Sequence, residues 1–391
     1  MKEDTKIVHA GRDPEQSHGT VNPAVYHAST IIFPSVADAV AKVPPEYHTS
    51  FYGRLGTPTT FAFEDAVAQL EGGYRTLVAP SGMSAIATAL LAYLGAGDHL
   101  LMVDSCYEPT RNFCGSLLAR MGVEVSYYDP LAAGDIRRLM HDDTRVIFAE
   151  SPGSQTFEVQ DIPAIAEAAH ERGARLLLDN TWATPVFFKA FEHGVDVSIQ
   201  AATKYIVGHS DAMLGTITAN EASWEPLISA HRGLGVCVGP DDVYLGQRGL
   251  RTLGVRLRRH QETGMALAEW LARRPEVSRV LHPAFPSCPG HEFWKRDFKG
   301  SSGLFAVVLN DCSMSAIAEM VDGYELFGLG GSWGGYESLV LPSLHGPART
   351  VVPWESDGRV VRFHAGLEDV DDLIRDLEQG FDRLRRGTDA D

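Results

Sequence analysis

The chain has 391 residues, of which 44% are hydrophobic and 22% charged, and 34 basic against 51 acidic side chains give a formal charge of −17. That length holds a large core and about two domains. The acidic balance argues against a surface for nucleic acid or anionic lipid, either of which needs clustered Lys and Arg, and no apolar run is long enough to span a bilayer.

Residues 1–60 read as an irregular arm. "VNPAVYHASTIIFPS" and "VPPEYHTSFYGRLGTPTT" are rich in Pro, Gly, Thr and Tyr, and so long a stretch with so many aromatics is expected to lie across another surface. From Phe61 the texture changes. "FAFEDAVAQLEGG" has helical spacing at Phe63, Val67 and Leu70, then a glycine stop. Residues 61–250 go on to alternate short apolar runs, "TLVAP", "HLLMVD", "VEVSYYD", "TRVIFAES", "ARLLLDN", "VDVSIQA" and "MLGTITA", with helical stretches such as "SAIATALLAYL" and "IPAIAEAAHERG". This predicts an α/β domain with a large, mostly parallel sheet covered on both faces.

Around "DDVYLGQRGLRTLGVRLRRHQETGMALAEWLARRPEV" the spacing predicts one long helical tract, bent near its glycines, that joins two domains. Residues 251–391 continue as strand, helix, strand in "SGLFAVVL", "SMSAIAEMVD" and "RVVRFHAGLE". In the tail, Leu367, Val370, Leu373, Ile374, Leu377, Phe381 and Leu384 share one helical face, and basic residues suit its C-terminus. A smaller C-terminal α/β domain is expected.

The five cysteines, Cys106, Cys114, Cys237, Cys288 and Cys312, are scattered without a Cys-x-x-Cys pair, and no histidines show H-E-x-x-H spacing. They read as reduced core residues, with no metal. The opening "MKEDTKIVHAGRDPEQ" has no apolar signal region. The expected location is the cytoplasm, with neither nucleic acid nor membrane as partner.

In an α/β sheet, ligands bind beyond the carboxyl ends of the strands. "RLLLDN" ends on Asp179 and "VSIQAATK" ends on Lys204. Taken alone, the first reads as a cap and the second as an exposed strand end. Together they set an acid and an amine on strand ends one short crossover apart. In "APSGMSAIATALL", Ser81, Gly82 and Met83 open a helix after a strand, which suits either a plain turn or an anion site at the helix N-terminus. It is not a G-x-G-x-x-G or P-loop pattern. Tyr107 follows the next strand and offers a ring for stacking, or ordinary boundary packing. Phosphate cradle, stacking ring, carboxylate and amine together suit one small cofactor, pyridoxal 5′-phosphate (PLP).

With those residues, "YGRLGTPT", "LEGG", "YEP", "ESPGS", "DNTWATPVFFKA", "SIQAATKYIVGHSDAMLGT", "RGLRTLGVRLRRH", "HEFWKRDFKGSSGLF" and "SWGGYESL" make the chain similar to the Cys/Met-metabolism family of PLP enzymes, the γ-family of the PLP-dependent transferase-like fold (fold type I). "HEFWKRDF" and "SWGGYES" tilt the likeness toward its β-lyases. The resemblance implies α,β-elimination from an amino-acid thioether such as cystathionine. It implies Lys204 as Schiff-base lysine and base, Asp179 on the pyridinium nitrogen, Tyr107 stacked on the ring, and Gly82, Met83 and Thr203 at the phosphate. Tyr52 and Arg54 would reach a neighbouring subunit's site, with Arg54 on the phosphate, so the protein would be a homo-oligomer, a tetramer of site-sharing dimers. Arg362 would bind the substrate α-carboxylate, with Ser332, Trp333 and Ser154 nearby. Two positions depart from the family pattern. Ala201 replaces a frequent serine. Arg232 stands where relatives often have a tyrosine, either reaching a distal substrate carboxylate or pointing to solvent.

Overall fold

The structure is a computed structural model that describes residues 1–344, 346–354 and 358–388. Seven strands, β1 (Arg75–Ala79), β2 (His99–Val103), β3 (Glu124–Tyr128), β4 (Thr144–Glu150), β5 (Arg175–Asp179), β6 (Val197–Gln200) and β7 (Gly215–Ala219), form one sheet in the order β1-β7-β6-β5-β4-β2-β3. All seven are the apolar runs expected from the sequence. Only β7 runs against its neighbours; β6, β5, β4, β2 and β3 pair in parallel. Most residues of β2, β4, β5 and β6 are buried, as continuous apolar strands between two helical layers should be.

A second sheet contains β8 (Val277–Leu281), β9 (Leu304–Leu309), β10 (Gly328–Leu329), β11 (Leu339–Pro342) and β12 (Arg359–His364), in the order β10-β11-β12-β9-β8. Between the sheets lie two helices, Pro240–Leu250 and Leu253–Leu271. The single tract expected there is broken at Arg251 and Thr252. Within the first sixty residues two short helices, Glu3–His9 and Val36–Ala41, interrupt the irregular chain. No helix among the described residues is long and apolar enough to cross a membrane.

Period-2 alternation decides what the second sheet does. Leu304, Ala306 and Val308 of β9, with Val360 of β12, join the core of the large sheet. Phe305, Val307 and Leu309, with Val361 and Phe363, join a separate core closed by Leu373, Leu377, Phe381 and Leu384 of the C-terminal helix Val370–Thr388. Arg362 shares the face of Val360, and so is turned toward the large sheet.

After β11 the chain crosses back as a strap latched at two acids. Fully buried Asp104, just beyond β2, accepts the N–H groups of Thr350 at 2.9 Å and Val351 at 2.8 Å and the guanidinium of Arg111 at 2.9 Å. Arg349 donates to Glu158 at 2.6 Å and to Thr156 at 2.5 Å. Burial alone would raise the proton affinity of Asp104, but the donors from Val351, Arg111 and Thr350 outweigh it and hold the carboxyl below its ordinary range. Its latch is therefore complete above the ordinary carboxylate pKa of about 4 and is lost as pH falls below it. Asp104→Asn should loosen the strap by about 2 kcal/mol, read as faster amide exchange in residues 346–354 at neutral pH. Wild type should approach the variant as the medium is acidified, and equal exchange in both at pH 7 would refute the latch.

Candidate active site

The carboxyl ends of β1, β4, β5 and β6 open on one cavity of about 260 Å³. Its lining includes Gly82, Met83, Tyr107, Ser154, Asp179, Thr203, Lys204, Trp333 and Arg362. Nine of the residues singled out from the sequence thus meet in one place.

Lys204 sits on a turn four residues past the end of β6, not on the strand itself. Its Nζ donates to Ser332 Oγ at 2.6 Å and lies 5.2 Å from the centre of the Trp333 ring. Burial, with the guanidinium of Arg362, lowers the pKa of this amine to about 8, while Asp179 pulls the other way. Asp179 ends β5 and is itself buried. Burial raises its proton affinity; the hydroxyl and N–H of Thr181 and the charge of Lys204 oppose that. The Thr181 hydroxyl donates to Asp179 at 2.5 Å and accepts the N–H of Ala201 at 2.8 Å, so one side chain ties the acid to the lysine turn.

The helix Gly82–Tyr93 starts at the cavity wall, capped by Ser81, whose hydroxyl accepts the N–H of Ser84 at 3.0 Å. The N–H groups of Gly82 and Met83 belong to the first turn, where a helix offers no internal acceptor, and could hold an anion. The Thr203 hydroxyl lines the cavity but already donates to the Leu214 carbonyl at 3.0 Å. Tyr107 lies at the cavity mouth with 47% of its surface exposed. Arg362 donates to the Ser332 carbonyl at 3.3 Å, and burial lowers its pKa.

Three residues lie elsewhere. Arg54 donates to the Arg232 carbonyl at 2.9 Å, and the two line a different cavity with Tyr47 and His48. The Arg232 guanidinium is taken up by carbonyls of the arm, Pro45 at 2.9 Å and Glu46 at 3.3 Å. Tyr52 faces outward, 43% exposed, bridged to Thr30 through the backbone.

A carboxylate and an amine lining one cavity, a helix N-terminus on its wall and a tyrosine at its mouth are the parts that PLP needs. The family model described as Cys/Met metabolism PLP-dependent enzyme matches residues 4–382.

The chain belongs to that family.

PLP is accordingly its cofactor. Among similar proteins are the cystathionine beta-lyase of Escherichia coli, 47% identical over 98% of this chain and 99% of that protein, and that of Salmonella typhimurium, 46% identical over 97% and 98%. The crystal structure of metB from Corynebacterium glutamicum superposes with a TM-score of 0.90 at 30% identity, covering 98% of each chain. The fold is thus that of the PLP-dependent fold type I enzymes.

Several site residues escaped the sequence reading. Thr181 and Glu150 lie within the family-like stretches "DNTW" and "ESPGS", but nothing in their spacing marks them. Arg256 is one basic residue among many in "RGLRTLGVRLRRH". It is 5% exposed, and its guanidinium donates to the carbonyls of Tyr205 at 2.7 Å, Ile206 at 3.3 Å and Gly249 at 2.8 Å. Burial lowers its pKa to about 10. It therefore clamps the residues directly after Lys204. Gly249 makes that approach possible, since a Cβ there would meet the carbonyl oxygens of Ile206 and Val207 at 2.3 Å. On the other side Gly334, at φ +87°, packs so closely that a Cβ there would lie 2.9 Å from the Lys204 backbone.

Gly249→Ala should destabilise the protein by about 1–3 kcal/mol and displace the amine, so that turnover and the absorbance of bound PLP change together. An unchanged melting temperature with unchanged turnover would show that the turn has slack.

Proposed function

We propose that this protein is a carbon–sulfur β-lyase that cleaves L-cystathionine, with water, to homocysteine, pyruvate and ammonia. The observation that carries the proposal is the environment of Lys204, an amine drawn down to about 8 between a guanidinium and an acid in a cavity fit for PLP. The relatives named above for this reaction support the choice of substrate.

When bound, PLP supplies a protonated pyridine ring that takes up the negative charge left on a deprotonated Cα. The chain's own residues do the rest. Asp179, kept in place by Thr181, would keep the ring nitrogen protonated. The helix start at Gly82 and Met83, with Thr203, would receive the phosphate, and Tyr107 would stack on the ring. Arg362 grips the substrate α-carboxylate through its planar fork, with Ser154 and Trp333 beside it. Lys204 removes the Cα proton, and its partner Ser332 Oγ steadies the amine. A pKa near 8 leaves an appreciable share of the amine neutral close to physiological pH, which a general base requires.

The arm completes the reading. Tyr26, Ile32, Val36, Val40 and Val43 are all exposed apolar residues on it, more than a free surface segment would carry. We infer that the arm of residues 1–60, held to its own chain at both ends, contacts a neighbouring copy through its exposed stretch, where Tyr52 and Arg54 would enter that copy's cavity, in a tetramer of site-sharing dimers. Residues 61–250 form the PLP-binding unit and residues 251–391 the smaller unit. All five cysteines are unpaired, which suits a reducing cytoplasm.

Purified protein given cystathionine, cystine and methionine in turn should release pyruvate from cystathionine together with homocysteine. Release of 2-oxobutyrate instead would assign it to γ-elimination. Lys204→Ala should lose turnover by about 10³-fold; pyruvate release at the normal rate would remove the lysine from its role. Mixing Lys204→Ala with Arg54→Ala subunits should restore part of the activity, because one mixed site would then hold both native residues. No recovery in mixed oligomers would place Arg54 in the service of its own chain.

A further inference from the structure

Glu150 ends β4 as Asp179 ends β5, and the two are register partners across the parallel pair. Such partners point to the same side of a sheet, with strands about 4.8 Å apart. Both line the cavity. Two carboxyl groups therefore stand side by side beneath one ligand, and the family mechanism used above needs only one.

Their surroundings differ. Asp179 has the hydroxyl and N–H of Thr181 and the amine of Lys204 to favour its charge. Glu150 has a single donor, the backbone N–H of Tyr107, at 2.7 Å from Oε2, and among the described residues it forms no ion pair. The other titratable groups that face it are the Cys106 thiol and the Tyr107 phenol, neither of them a cation. Burial, with the charge of Asp179, raises its proton affinity well above the usual carboxylate range, against the pull of the Tyr107 N–H. Two like charges this close do not both persist away from bulk water, and the one with more hydrogen-bond donors and a nearby amine, Asp179, keeps the charge.

We propose that Glu150 is a positioning residue that works as a neutral carboxylic acid: it holds the Tyr107 backbone so that the ring faces the cofactor, and it leaves Asp179 as the one negative charge at the ring nitrogen. The inference rests on the PLP reading of the site. Tyr107 begins the short helix Glu108–Phe113 without a side-chain cap, and its ring stands at the open mouth. The bond from its N–H to Glu150 is what ties that mouth to the sheet. A neutral acid still accepts this bond through its carbonyl oxygen, more weakly than a carboxylate would but without setting a second anion beside Asp179.

Neutral and ionised forms are separated by substitution. Glu150→Gln keeps the shape and the acceptor but can never carry charge. Glu150→Met keeps bulk and removes the acceptor. Apo protein of each is titrated with PLP, following cofactor absorbance and its dependence on pH, with melting temperature as a check on folding. Glu150→Gln should bind PLP within about twofold of wild type and keep the same absorbance band. Glu150→Met should bind about tenfold more weakly, the loss of one hydrogen bond at the cavity mouth, with a shifted band. If Glu150→Gln is as impaired as Glu150→Met, the charge matters and the proposal falls. It falls equally if Glu150→Met binds PLP as wild type does, since Tyr107 would then need no such support. Failure of wild type itself to take up PLP would instead overturn the reading of the site, a result distinct from either.

Discussion

A buried guanidinium that meets no carboxylate among the described residues is the constraint on which the site depends. Arg256 has three backbone carbonyls as partners, two of them in the turn that follows Lys204. A buried cation is expensive unless its hydrogen bonds are met, so the arginine can be accommodated only if that turn keeps its shape. The dependence runs both ways. The turn has carbonyls that no strand pairs, and the arginine satisfies them. The lysine is thereby placed by main-chain geometry rather than by its own flexible side chain. That matters because four rotatable bonds would otherwise leave the amine free to wander.

Around that fixed turn the charges are arranged in tension. Arg362 repels the Lys204 amine and Asp179 attracts it, and burial weighs against charge on all three. The two acids at the ends of β4 and β5 add a second tension. None of these groups could be moved to the protein surface and keep its character, since water would screen the pair interactions and return each pKa toward its ordinary value. The cavity between the two sheets provides the low-dielectric setting. β12 brings Arg362 to it by the same alternation that places Val360 in the large core.

How much of this the sequence could reveal depends on whether the determining interaction is local. All seven strands of the large sheet were legible, because buried parallel strands are written as unbroken apolar runs. That β7 enters antiparallel was not, since pairing direction is set by the connection and not by the strand's own residues. β8, β10 and β11 also went unread. β10 has two residues and β11 four, too short to establish a period, and they are strands only by virtue of pairing with others. The long helical tract was read as one, bent near its glycines; Gly249 and Gly254 flank the actual break, but nothing at Arg251 and Thr252 themselves marks a full interruption. There the Arg251 guanidinium leaves the axis to bind the carbonyls of Ile7, Val8 and Ala10, more than two hundred residues earlier. Asp179 was found because it ends a readable strand, and Lys204 because it closely follows one. Thr181, Glu150 and Arg256 were not, because what distinguishes them is the partner they meet, and each partner lies in another element.

The same limit bears on the arm. Its residues look unlike a core in the sequence, and within one chain they remain unlike a core: Ile32 is 88% exposed and Val36 81%. Yet both ends of the arm are held. Ile7 is buried, Arg251 binds the carbonyls that follow it, and Arg54 is hydrogen-bonded to the helix Trp224–Gly233 through Arg232. A segment anchored at both ends and apolar in the middle is shaped to meet a surface rather than to fluctuate in water, since exposed aliphatic side chains gain nothing from solvent. The cavity has the complementary feature, a mouth where Tyr107 is half exposed although a stacking ring works best in a dry setting. An apolar arm lacking a surface and a site lacking a wall would both be met by the site-sharing pair proposed above, the arm of one copy closing the cavity of the other. Under that proposal the active site would be a property of the assembled pair, each chain supplying an incomplete half.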